Sequence, residues 1–93
     1  MSIFDQLVLK IISEQELLMG PVAWLQAEKV QGLRIDRKEK TVSIENIENG
    51  VAVDNLVGRF ENLFGRAGRE VCKEAVSALI ADMQPSQVPS SLR

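Results

Sequence analysis

Hydrophobic residues recur along this chain at two different periods, and the change of period marks out its elements. Ile3, Phe4, Leu7, Val8, Ile11 and Ile12 repeat at helical spacing, with Asp5, Gln6, Lys10 and Ser13 on the other side. That is the wide apolar stripe of an amphipathic helix. Leu9 falls off the stripe, and a single exposed leucine needs no explanation. Ser13-Glu14-Gln15-Glu16 has the spacing of a capping box. Two readings stay open: a second helical turn restarts there and carries Leu17, Leu18 and Met19, or one helix runs through to Met19. Gly20-Pro21 is the first hard stop, since glycine suits the residue after a helix and proline the first position of the next. A second helix is then expected from Pro21 to Val30, with Trp24, Leu25, Ala27 and Val30 on its apolar side and Glu28 and Lys29 outside.

The period changes at Gly32. In GLRIDRKEKTVSIE, Leu33 and Ile35 alternate with Arg34 and Asp36, and Val42 and Ile44 alternate with Thr41, Ser43 and Glu45. Alternation over four or five residues on either side of a charged RKEK predicts two strands of an antiparallel hairpin. The turn has no glycine or asparagine, so a four- or five-residue loop built on a type I turn is expected. A lone hairpin is marginal in water, and its apolar face must be covered by the helices on either side.

Asn46 to Gly50 reads as a linker. Beyond it Val53, Leu56, Val57, Phe60, Leu63 and Phe64 form a third helical stripe, with Gly65 placed to cap it. Gly58 lies inside that helix, where it costs about 1 kcal/mol relative to alanine and leaves room for another backbone to approach. Arg66-Ala67-Gly68 bridges to a fourth helix, Arg69 to Met83, with Val71, Cys72, Ala75, Val76, Leu79, Ile80 and Met83 inward. So short a connection predicts an antiparallel helical hairpin. Residues 85–93, with two prolines and three serines, have no apolar period and are expected to be disordered. The fold expected is therefore α+β: one domain over residues 1–84, with four helices packed on a two-stranded hairpin in the order helix, helix, strand, strand, helix, helix.

Composition narrows the function more by what it omits. At 93 residues the chain has room for one thin core, which makes dimerisation a natural remedy. A net charge of −2 gives no general attraction to nucleic acid or anionic membrane. The single cysteine forms no internal disulfide. The N-terminus lacks a basic lead and a small-residue cleavage site, and no apolar run is long enough to cross a bilayer, so a cytoplasmic location is expected. The chain has no histidine and no tyrosine. That removes the commonest general base, the commonest nitrogen metal ligand and every Ser-His or Cys-His pair. Neither a catalytic activity nor a cofactor is expected, and Cys72, on an inward face, reads as a small buried hydrophobe.

Three local features still suggest binding. Arg66, Gly68 and Arg69 sit where a helix begins, and exposed N–H groups with arginines beside them attract phosphate-like anions. No Gly-Lys-Ser/Thr follows and no strand precedes, so neither nucleotide-binding fingerprint is present. Arg34, Arg37, Lys38 and Lys40 gather on the hairpin, which after two helices resembles in outline the wing of a winged-helix DNA-binding domain. That resemblance implies a transcriptional regulator with residues 21–30 in the major groove. It needs a third helix before the hairpin, which exists only if Ser13 starts one. Asp36 and Glu39 dilute the charge of the wing. Trp24, the only tryptophan, reads as core or as an anchor for a partner. The function expected first is that of a non-catalytic subunit, adaptor or regulator acting through protein–protein contact, as a homodimer through the open hairpin edge.

Overall fold

A computed structural model describes residues 2–93. Among them α1 (Ile3–Met19), α2 (Val22–Glu28), β1 (Leu33–Asp36), β2 (Thr41–Ile44), α3 (Asn49–Phe64), α4 (Arg66–Ala75) and α5 (Ser77–Ala81) follow in order, and two 3-10 turns (Pro85–Gln87 and Ser90–Leu92) end the chain. The α+β order expected from the two periods is the order observed. None of these helices is long and apolar enough to cross a membrane.

α1 is a single helix. Its N-terminus is capped by the Ser2 hydroxyl, which accepts the Asp5 N–H at 3.1 Å. The serine of the internal capping-box sequence does not cap anything: its hydroxyl donates to the Leu9 carbonyl one turn back, at 2.8 Å. The helix therefore runs on to Gly20, whose φ of 74° ends it. Two helices, not three, precede the hairpin.

β1 and β2 pair antiparallel, with Leu33 opposite Ile44 and Ile35 opposite Val42 on one face, and Arg34 opposite Ser43 and Asp36 opposite Thr41 on the other. The apolar face is covered by α1 under β2 and α2 under β1. The loop between the strands has four residues, as expected. One Asp36 carboxylate oxygen accepts the main-chain N–H groups of Lys38 and Glu39 at 3.0 and 3.1 Å. Its last residue, Lys40, takes a φ of 54° without being glycine or asparagine. The Asp36 contacts hold the loop in the path that requires it.

The core joins Leu7, Val8, Ile11 and Ile12 of α1, Ala23, Trp24 and Ala27 of α2, Val42 of β2, Val53, Leu56, Val57 and Phe60 of α3, and Cys72 and Val76. Four expectations are corrected here. First, Leu25, Leu63 and Phe64 are not inward: each remains well exposed. Second, the fourth helix begins at Arg66 instead of Arg69 and bends at Val76, where the Ser77 hydroxyl bonds the Glu74 carbonyl at 3.1 Å and a short α5 follows. Third, residues 85–93 are ordered. Val88 and Leu92 are buried, and Asp54 of α3 accepts from the Ser90 hydroxyl at 2.9 Å, from the Ser91 N–H at 3.0 Å and from the Ser91 hydroxyl. Fourth, the bare turn at Gly58 admits no neighbouring backbone, since a Cβ there meets nothing within 4 Å.

The close approach is at Gly68 instead. A Cβ at Gly68 would lie 2.4 Å from the Phe60 carbonyl oxygen and 3.2 Å from the Phe64 Cβ. The same substitution at the two glycines should therefore have opposite signs. Gly58→Ala should stabilise by about 0.5–1 kcal/mol through helix propensity alone. Gly68→Ala gains a similar increment but forces α3 and α4 apart, and such overpacking costs about 1–3 kcal/mol or more, so a net loss of about 2 kcal/mol is expected. Urea unfolding midpoints of the two variants check both signs.

Candidate functional site

Where α1 ends against the α3–α4 elbow, the apolar surface is not covered. Leu17 is 79% exposed, Leu18 68% and Phe64 49%. Leu18, Met19, Phe64, Ala67 and Val71 line an apolar cavity of about 170 Å3 whose floor is Gln15 and Gly68. Leu18 and Val71 also line an adjoining groove between α1 and α4, which reaches Leu17, Lys10, Glu14 and Glu74.

The floor is built by the helix pattern. Gln15 stands four residues after Ile11, so it continues the core stripe of α1 and is 1% exposed. Its Nε2 donates to the Gly68 carbonyl at 3.1 Å and to Cys72 Sγ at 3.4 Å. A carbonyl only accepts, so the amide can sit only one way round. Gly68 is buried here because no side chain fits between α4 and the Phe60 carbonyl. Cys72 lies behind the floor, fully buried. Burial pushes its thiol from 9.0 up to about 11, and the Gln15 hydrogen bond pulls weakly the other way. At neutral pH it is a protonated thiol with no route to reagents, which is the inert case.

The residues singled out by sequence are scattered. Trp24 is a core residue, 3% exposed, and its indole N–H finds no acceptor. The hairpin cations do not pool into a basic surface. Arg34 lies 3.4 Å from Glu45, Arg37 lies 2.6 Å from Glu28, and Lys40 lies 3.5 Å from Glu16. Lys38 projects from the loop and has no ion pair among the described residues. At the start of α4, Arg66 is exposed and Gly68 is buried. Arg69 is engaged on the tail: its Nε donates to the Ser91 carbonyl at 3.0 Å, and its Nη1 lies 3.9 Å from Glu61. Arg66, Gly68 and Arg69 therefore share a helical turn but not a common cradle. No cluster of three or more histidine, cysteine or acidic side chains is placed to hold a metal ion among the described residues.

Sequence reasoning did not find the Leu17–Leu18–Phe64 surface. The signal was present: leucines at 17 and 18 lie beyond a stripe whose next core position is occupied by glutamine. No protein family, curated protein or solved structure matches the chain.

Proposed function

We propose that this chain is a non-catalytic protein that works through contact with other proteins, as a subunit, adaptor or regulator. One observation carries the reading: Leu18 and Phe64 stand exposed at an apolar cavity floored by Gln15 and Gly68, and Leu17 is exposed in the groove beside it. Contiguous apolar surface of this kind, rimmed by charged residues such as Lys10, Glu14 and Glu74, is what interaction sites have in common. A cavity beside it offers a seat for a partner's aliphatic or aromatic side chain, the usual centre of a binding hot spot.

The test is capture from the native host followed by mass spectrometry, with the wild-type chain and the Leu17→Glu/Leu18→Glu variant side by side. Both leucines are well exposed, so folding should be unaffected and the melting temperature unchanged. Recovery of the specific partner should fall about tenfold or more, which corresponds to losing roughly 1.4 kcal/mol of contact. Equal recovery by both chains would remove this face from the reading.

A second reading, self-association through the hairpin, is favoured by its edges. The hairpin has no third strand among the described residues, so outward main-chain groups along its edges, those of Ile35 among them, are open to pairing. A DNA-binding role has no comparable support: α1 is unbroken, and three of the four hairpin cations have a carboxylate beside them.

A further inference from the structure

We propose that β1 pairs with β1 of a second copy about a two-fold axis at Ile35, giving a four-stranded sheet β2-β1-β1-β2. The proposal rests on the self-association reading and deepens it by naming the strand, the register and the groups that select them.

The ladder fixes which groups point outward. The Glu45 N–H bonds the Gly32 carbonyl at 2.9 Å, so residues 32 and 45 form a hydrogen-bonded pair. Such pairs alternate along an antiparallel ladder, so Arg34–Ser43 and Asp36–Thr41 are bonded and Leu33–Ile44 and Ile35–Val42 are not. The main-chain N–H and C=O of Ile35 therefore face away from β2. The neighbouring outward N–H, that of Leu33, is already taken by the Val30 carbonyl at 3.3 Å. Ile35 is where the edge is open.

Charge then selects the register. With Ile35 opposite Ile35 of the second copy, the two exchange both main-chain hydrogen bonds. Arg34 then stands opposite Asp36, and Asp36 opposite Arg34, in the closer non-hydrogen-bonded positions where side chains meet best. A slip of two residues, which keeps the outward groups of β1 paired and moves the axis by one residue, sets Arg34 against Arg34 in one direction and Asp36 against Asp36 in the other. Like charges directly opposite disfavour both. The β2 edge has no such code, since its outward side chains are Thr41 and Ser43. Arg34 is free to turn to its new partner, because its present ion pair with Glu45 is long, at 3.4 Å, and its side chain is 76% exposed.

Sedimentation equilibrium of the full chain and two charge reversals test this. The wild-type chain should dimerise at high micromolar concentration, and the Ile35 amide should exchange more slowly as concentration rises. Arg34→Asp and Asp36→Arg should each weaken self-association about tenfold or more. A mixture of the two variants should dimerise again, because each then meets the opposite charge at both positions. Asp36 also holds the hairpin loop, so folding of Asp36→Arg is checked by circular dichroism; if it does not fold, Arg34→Asp and the Ile35 exchange decide the matter alone. A wild-type dimer that Arg34→Asp leaves intact, with Ile35 unprotected, would overturn this pairing while leaving self-association through another edge standing. A monomer at all concentrations would overturn both.

Discussion

Phe60→Ala should lower the stability of this protein by about 3–5 kcal/mol. Phe60 is the largest fully buried side chain, in the last turns of α3, where the core and the α4 contact meet. Its removal takes away the transfer free energy of a whole ring and leaves a cavity between α-helices that Gly68 already holds at their closest approach. The rest of the structure cannot collapse into that space without separating α3 and α4. A chain of 93 residues has a total stability of about 5–14 kcal/mol, so this single change removes a large share of it. Phe64, one turn later, is the control. It is 49% exposed, so Phe64→Ala should cost less than about 1 kcal/mol while removing part of the apolar cavity wall. Urea denaturation of both variants measures the difference. Equal losses would mean that the core does not end where we place it.

The second large effect is alkaline. The unfolded Cys72 thiol ionises near 9.0, whereas in the folded chain burial holds it protonated to about 11. Between these values the unfolded chain gives up a proton that the folded chain keeps. The contribution is therefore fully present below pH 9 and is lost as pH rises toward 11. Two pKa units correspond to about 3 kcal/mol. Cys72→Ala should be less stable than the wild type at neutral pH, because it leaves a small cavity, but it should lack this alkaline loss. Unfolding midpoints of the two chains at several pH values between 8 and 11 give the comparison. Parallel curves would show that the thiol is not shielded as the fold implies.

The hairpin was legible in the sequence because its period of two sits between helical patterns, and burial of one face follows directly from that alternation. The pairing of α3 with α4 was legible too, because two helical stripes follow one another across a short connection. The tail was not. Its buried residues, Val88, Pro89 and Leu92, do not make a stripe, and what holds it is Asp54 meeting Ser90 and Ser91, contacts that leave no periodic trace. Ser13 has the spacing of a cap, but the helix runs through it and its hydroxyl bonds the Leu9 carbonyl instead. The apolar face was hidden for a related reason. A polar Gln15 takes the next core position of α1 and floors the cavity, with exposed Leu18 on its wall and exposed Leu17 in the groove beside it. The candidate anion site at Arg66–Arg69 depended on residues whose partners lie far along the chain, and Arg69 proved to face the tail.

The order in which elements touch has a consequence for how the chain reaches this state. α1 meets α2, β1 meets β2, and α3 meets α4, each across a connection of a few residues. Such neighbours find one another quickly, because little chain entropy is lost in closing short loops. The meetings of α1 with β2, α3 and α4, the last sealed by Gln15 on Gly68, and the return of the last ten residues to Asp54 join distant parts of the sequence. Those closures over long stretches of chain are expected to be the slow ones, and the cavity floor is assembled by the meeting of α1 with α4.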